Sequence, residues 1–68
     1  MIRSNIPALI GKNKMTIAEV AKIAKLEYNT VESIYRDRAK GIKYETMNKL
    51  CFALNCTPAE MFTYIPDD

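Results

Sequence analysis

Residues 16–36 read TIAEVAKIAKLEYNTVESIYR, and this stretch decides the fold of the chain. Thr16 and Glu19 stand three positions apart, the spacing of a capping box, so a helix begins here. Apolar residues then follow at helical spacing, stop, and start again: Ile17, Val20, Ala21 and Ala24, then Val31, Ile34 and Tyr35. Only Lys25 and Leu26 lie between the two periodic segments. The stretch therefore predicts two short helices joined by a tight turn.

A turn this short forces the second helix to cross the first at a steep angle. The second helix must bury Leu26, Val31 and Ile34 against the first, and Tyr35 extends that buried face. Small Ala21 suits a close crossing, because a larger side chain would push the two helices apart. Residues 16–36 are thus expected to form a helix-turn-helix unit.

The positions that such a unit must bury match a known pattern. Counting Ile17 as the first of 20 positions, they hold apolar residues throughout: Val20, Ala21, Leu26, Val31 and Ile34. On this pattern the chain resembles the Cro and phage-repressor-like (lambda-repressor-like, XRE-type) helix-turn-helix family, from about Asn5 to Phe62. The resemblance implies an all-α, five-helix DNA-binding domain whose helix-turn-helix is formed by helices 2 and 3. A short strand pair at the chain ends is compatible with it.

Three residues depart from the family pattern. Lys25 stands where the family usually has Gly, so it must either adopt a left-handed conformation or use a different turn. Ile17 stands where the family often has a Gln that helps to hold a phosphate. Glu27 replaces the small hydroxyl residue expected to cap the second helix of the unit, and it brings negative charge toward the DNA.

Three further helices are expected outside the unit. Ser4 or Asn5 can cap a first helix with Pro7 in its first turn. A helix over Tyr44–Leu54 follows the loop 36–44 and ends where Asn55 can adopt a left-handed cap. A second capping box precedes a short closing helix, formed by these residues: Thr57, Pro58, Ala59, Glu60, Met61 and Phe62.

Length and composition bound the remaining possibilities. Sixty-eight residues make a single small domain, 1–68, with a C-terminal tail at 63–68. No apolar run is long enough for a membrane span and no signal-peptide pattern is present, so a cytoplasmic protein is expected. The sequence has no His, no catalytic motif and no metal-ligand set, which predicts a protein without cofactor or evident small-molecule ligand that is not an enzyme. Cys51 and Cys56 are interpreted as reduced packing residues.

The net charge of +2 is unevenly distributed. Residues 1–43 hold nine Lys or Arg against four acidic residues, whereas residues 44–68 hold one Lys against four acidic residues. The positive half coincides with the helix-turn-helix unit, which favours a polyanionic partner for that half. The alternative is that these charges only keep a small domain soluble.

The resemblance assigns contact roles to named residues. The outer face of the second unit helix enters the major groove, which makes its residues the candidates for base reading: Tyr28, Asn29, Glu32, Ser33 and Arg36. The candidates for phosphate contact lie at the start of the first unit helix and after the second: Thr16, Lys40, Lys43 and Tyr44. The alternative for the outer face is an ordinary solvated helix surface.

The chain ends are expected to form a dimer contact. Tyr64 and Ile65 have nothing nearby in sequence to cover them, and Ile2 lies before the first helix, so both ends of the chain are apolar. The candidate contact residues are these: Ile2, Phe62, Tyr64 and Ile65. A short pairing of residues 2–4 with 63–65, within one subunit or exchanged between two, would cover them. The sequence thus predicts a homodimeric, sequence-specific regulator that binds double-stranded DNA, like a minimal phage-type repressor. The alternative is a protein-interaction module of the same fold, antitoxin-like or an accessory regulator, with weak or lost DNA binding.

Overall fold

A computed structural model describes residues 1–67. This part of the chain forms five α-helices and a two-stranded antiparallel ribbon, in the order β1 (Ile2–Ser4), α1 (Ile6–Lys12), α2 (Ile17–Ala24), α3 (Tyr28–Tyr35), α4 (Tyr44–Leu54), α5 (Pro58–Met61) and β2 (Phe62–Tyr64). The prediction of a five-helix fold with the helix-turn-helix at helices 2 and 3 is confirmed. The ends of the chain add the ribbon.

The helix-turn-helix unit begins at the predicted capping box. Thr16 Oγ1 accepts a hydrogen bond from the Glu19 amide at 3.1 Å, and the Glu19 carboxylate accepts one from the Thr16 amide at 2.9 Å. At the other end of α2, Lys25 adopts a left-handed conformation with φ 58°. Its amide donates to the carbonyl of Lys22, and the Leu26 amide donates to that of Ala21. Lys25 therefore makes the tight turn without the glycine usual at this position.

All five helices contribute to one hydrophobic core. Its buried residues come from every helix: Ile6, Leu9, Ile10, Val20, Ala21, Ala24, Val31, Ile34, Leu50, Ala53, Leu54 and Met61. Leu26 and Tyr35 were also expected to be buried, but both are half-buried and pack at the edge of the core. Within residues 1–67 the core contains no buried polar or charged residue. Packing of one apolar stripe per helix therefore fixes how each helix is rotated about its axis.

The last two helices follow their local signals, with one correction. α4 spans the predicted residues, and Asn55 ends it in the left-handed conformation, φ 50°. α5 begins after Thr57, whose amide donates to the Glu60 carboxylate at 2.9 Å. The prediction that Phe62 belongs to this helix is wrong: α5 ends at Met61, because Phe62 is already extended, with φ −136° and ψ 147°, and opens β2.

The terminal ribbon forms within one chain, displaced by one residue from the predicted pairing. Ile2 faces Tyr64, Arg3 faces Thr63, and Ser4 faces Phe62. Asn5 lies at the inner end of the ribbon, where its amide donates to the Met61 carbonyl at 2.8 Å and its side chain bonds to the Glu60 carbonyl and to Thr63. This Asn5 contact explains the register, since it matches residue 5 to the last residue of α5.

Candidate nucleic-acid interface

The outer face of α3 carries all five predicted base-reading residues. Val31 and Ile34 are buried beneath the helix, so the opposite side points away from the core. Tyr28, which is 47% exposed, and Asn29 lie exposed in its first turn. The other three follow along the same side. Glu32 and Ser33 are half-buried, and Arg36, directly after the helix, is exposed. The helix therefore presents phenol, amide, hydroxyl, carboxylate and guanidinium groups on one surface.

Two of these side chains bind each other. Arg36 Nε lies 3.4 Å from Glu32 Oε2, one helical turn away. Arg38, in the loop after α3, places Nη2 3.8 Å from the other oxygen, Oε1. The Arg36 guanidinium also lies over the Tyr35 ring, 5.7 Å from its centroid. Glu32 is therefore the centre of an ion-pair cluster, and Arg38 is a residue that the sequence analysis did not single out.

The loop 36–43 is held against α3 and against the ribbon. The amides of Arg38 and Ala39 donate to the Ser33 carbonyl, at 2.8 and 3.2 Å. Asp37 adopts a left-handed conformation with φ 57°, and its carboxylate accepts a hydrogen bond from the Ser4 amide at 2.7 Å. These bonds link the end of α3 to β1, and they fix the path along which the loop presents its lysines.

The predicted phosphate-contacting residues are all exposed. Lys40 lies in the loop, Lys43 immediately precedes α4, and Tyr44 is its first residue, with 88% of its surface exposed. Thr16 stands at the other side of the unit, at the start of α2, with its hydroxyl in the capping box. Exposed cations and hydroxyl groups thus flank the outer face of α3.

The starts of α2 and α3 differ in chemistry. Glu27 occupies the N-cap position of α3 in an extended conformation, and no side-chain bond to the first turn of α3 is formed. The amides of Thr30 and Val31 instead donate to the Glu27 backbone carbonyl. The first amides of α3 therefore have no side-chain cap, and Glu27 adds an exposed carboxylate near the outer face.

Comparison with known proteins gives this arrangement a family. The family model for the Cro/C1-type HTH DNA-binding domain matches residues 5–67. The chain belongs to the Cro/C1-type helix-turn-helix family. The chain is similar to YozG, an uncharacterized HTH-type transcriptional regulator of Bacillus subtilis (strain 168). The two sequences are 27% identical over 64 residues, which cover 94% of this chain and 76% of YozG. In helix-turn-helix domains that bind DNA, the second helix of the unit docks in the major groove, and α3 is the corresponding helix of this chain.

The residues predicted for a dimer contact lie together at the ribbon of this Cro/C1-type domain. Ile2 and Tyr64 face each other across the strands and are 61% and 66% exposed, and Ile65 is also exposed. Phe62 is half-buried and packs against the core. Beside the ribbon a groove of about 360 Å³ runs toward the loop 36–43, and its main apolar walls are Ile2, Ile34, Ile42, Met47 and Phe62.

Two further features of this family member lie on α4. Phe52 is 78% exposed and was not among the residues predicted from the sequence. The helical period could have identified it, because it places Phe52 on the side of α4 opposite the buried Leu50 and Leu54, three residues from Lys49. Cys51 is half-buried near the end of the helix, and its carbonyl accepts a bond from the Cys56 amide at 3.1 Å. Both cysteines pack against the core as the turn after α4 brings them together.

The two cysteines are free thiols. Burial, together with the neighbouring Cys51 and Glu60, raises the pKa of the Cys56 thiol to about 11. Within residues 1–67, no group of three or more His, Cys, Asp or Glu residues is placed to hold a metal ion. In the same part of the chain, no helix has the length and apolar character needed to cross a membrane.

Proposed function

We propose that this protein is a sequence-specific transcriptional regulator that binds double-stranded DNA as a homodimer, like a phage-type repressor reduced to its DNA-binding domain. The observation that carries the proposal is the outer face of α3, where exposed Tyr28 and Asn29 stand between the start of α2 and a loop with exposed lysines. In the docking geometry of such domains, α3 enters the major groove with its N-terminal residues nearest the bases.

Each group on the outer face has a base edge that suits it. Asn29 can pair with N6 and N7 of adenine, and the Glu32 carboxylate can accept from N4 of cytosine. Ser33 can bond to either kind of edge, and Tyr28 can contact a thymine methyl group or a phosphate. Arg36 completes the face at its C-terminal end. These residues would supply the sequence preference.

Binding to the phosphate backbone would come from the flanks of α3. Thr16 stands at the start of α2, where free amides favour an anion. Lys40, Lys43 and Tyr44 follow α3 and would neutralise or bond the phosphates beyond the groove. Such contacts fix the position of the protein on the duplex and carry little sequence information.

A single α3 helix offers few base contacts, so two copies are needed for tight and specific binding. A two-fold dimer would place its two α3 helices in major grooves one helical turn apart. The exposed apolar surface of Ile2, Tyr64 and Ile65, with half-buried Phe62 beneath, supports a dimer contact at the ribbon. Deleting residues 63–68 should then convert a dimer to a monomer when mass is measured in solution, and a truncated chain that stays fully dimeric would place the contact elsewhere.

The test of function is selection of bound sequences from random DNA with the full chain. An enriched, two-fold symmetric sequence is expected, and Asn29→Ala should relax the preference at one base pair while binding to unselected DNA stays nearly the same. Selection that enriches no sequence would contradict the proposal.

The phosphate contacts can be tested on the same DNA. Lys40→Ala and Lys43→Ala should each lower the slope of log affinity against log salt by about one, on selected and unselected DNA alike. Lys49→Ala is the matched control, since Lys49 pairs with Glu45 at 3.3 Å on α4 and lies outside the proposed contact set. A slope unchanged in the two loop variants would remove Lys40 and Lys43 from the interface.

A second candidate function is a protein-interaction module of the same fold. The exposed carboxylate of Glu27 beside the outer face of α3 favours it, because this charge repels a phosphate backbone. Two results together would support that function: selection from random DNA that enriches no sequence, and a chain that binds no duplex even at low salt.

A further inference from the structure

Glu32 pairs with an arginine at each of its carboxylate oxygens, and both arginines lie in the loop that follows α3. Arg36, the residue directly after α3, donates to Oε2 at 3.4 Å, whereas Arg38, two residues further along the loop, forms an ion pair with Oε1 at 3.8 Å. The Glu32 side chain is only 28% exposed, while the side chains of Arg36 and Arg38 are 52% and 64% exposed. The carboxylate is thus less exposed than either of the side chains that pair with it.

This cluster stands on the surface proposed to face DNA. Carboxylate and phosphate oxygens make the same charge-assisted hydrogen bonds to a guanidinium group, so Glu32 competes with the backbone for both arginines. Exposed ion pairs of this kind are individually weak, and they exchange partners readily. A donor that satisfies Glu32 would therefore release two cations at once.

We propose that Glu32 is a specificity-determining residue that keeps Arg36 and Arg38 off the phosphate backbone until a base amino group takes their place. The inference rests on the proposed function, binding of duplex DNA with α3 in the major groove. Where a cytosine lies against Glu32, its N4 amino group donates to the carboxylate, and the two arginines turn to phosphates. Arg36 then contacts the backbone instead of a base edge and acts on sequence preference through Glu32.

On other sequences the arginines stay on Glu32. Moving them to phosphates would leave a half-buried carboxylate facing the groove without a donor, which is costly. One base contact thus controls two backbone contacts, so the penalty for a wrong base exceeds the loss of a single hydrogen bond. Glu32 therefore restrains non-specific binding as well as reading a base.

The test compares salt dependence on two duplexes of equal length and composition, one carrying the selected site and one scrambled. For the wild-type chain, the slope of log affinity against log salt should be steeper on the selected site by about two, one unit for each released arginine. In Glu32→Gln neither arginine is held by a charge, so the two slopes should become equal and steep. Affinity for the scrambled duplex should rise roughly tenfold or more at about 0.1 M salt.

Glu27→Gln is the matched control. It removes the same charge near the same face, but no arginine or lysine within residues 1–67 forms an ion pair with Glu27. It should raise affinity for both duplexes by a similar, smaller factor and keep the difference between their slopes. Arg38→Ala is a second variant: it should lower the slope by about one on the selected site and leave it unchanged on the scrambled duplex.

The ion-pair cluster can also be observed without DNA. The Arg36 Nε–H group should be restrained in nuclear magnetic resonance relaxation of the wild-type chain and mobile in Glu32→Gln. Three outcomes would each overturn the proposal while leaving DNA binding intact. The first is equal wild-type slopes on the two duplexes, and the second is the same salt dependence in Glu32→Gln as in Glu27→Gln. The third is an Arg36 group that is equally mobile in the wild-type chain and in Glu32→Gln. A wild-type chain that binds no duplex at low salt would overturn the proposed function and this proposal together, even with Arg36 restrained.

Discussion

The two helices of the helix-turn-helix unit have equal length, yet different interactions hold them in place. α2 starts at a reciprocal capping box in which Thr16 and Glu19 satisfy each other's amides. α3 starts at Glu27 without a side-chain cap, and its position depends on burial of Val31 and Ile34. Both helices bury apolar residues in the core, but only the first has its start fixed by a side-chain cap.

The largest effect that tests this comparison should come from removing the packing under α3. Ile34 is 5% exposed, and Ile34→Ala should lower the free energy of unfolding by about 3 kcal/mol, through lost burial and the cavity left behind. That is a large part of the roughly 3 to 10 kcal/mol expected for a chain of this size. Denaturant unfolding followed by circular dichroism measures it.

Ile23→Ala is the control for the same chemical change. Ile23 lies on α2 and is 42% exposed, so its loss should cost about 1 kcal/mol or less. Equal destabilisation by the two variants would mean that the buried Ile34 contributes no more to stability than the exposed Ile23 does.

The second test removes the cap. Thr16→Ala should lower the free energy of unfolding by about 1 kcal/mol, because the Glu19 amide loses its acceptor at the start of α2. Glu27→Ala, at the corresponding position of α3, should change it by less than about 0.5 kcal/mol, since no cap bond is lost. Thermal unfolding of both variants compares the two helix starts directly, and a larger loss in Glu27→Ala would reverse their assignment.

The smallest effect concerns the turn between the helices, and its sign is opposite. Lys25 pays the conformational cost of a left-handed backbone, which glycine does not, so Lys25→Gly should stabilise the chain by about 0.5 to 1 kcal/mol. Lys22→Gly removes the same charge from the interior of α2 and should destabilise it by about 1 kcal/mol. If both variants are destabilised alike in denaturant unfolding, the left-handed conformation carries no penalty at Lys25.

The features that could be predicted from the sequence are those with local causes. The capping boxes at Thr16 and Thr57 located two helix starts, and the bounds of α4 followed from its apolar period and from Asn55. At Lys25 the resemblance to the family left two options open, a left-handed conformation or a different turn, and the structure has the left-handed conformation. In each case the interacting groups lie within a few residues of one another, so their geometry is set by the backbone between them.

The features that could not be predicted depend on distant segments. The register of the ribbon is tied to a contact between Asn5 and Met61, whose positions depend on the whole core. Pairing of Glu32 with Arg38 requires the loop to turn back after α3, and that path includes the left-handed Asp37 and its bond to Ser4. The i, i+4 spacing of Glu32 and Arg36 is itself a sign in the sequence that they pair, whereas nothing in the sequence indicates the contact with Arg38.

The ribbon has a consequence for the order in which the chain folds. It joins residues 2–4 to 62–64, the widest sequence separation of any pairing between elements within residues 1–67. One further hydrogen bond extends it, since the Ile65 amide donates to the Met1 carbonyl at 2.8 Å. The contacts of α2 with α3 close over far fewer residues, so their loop-closure entropy is smaller and they should form earlier. The ribbon should then be absent from the transition state, and weakening it should speed unfolding while the folding rate hardly changes. The lifetime of the native state, rather than the speed of reaching it, would be set at the two ends of the chain.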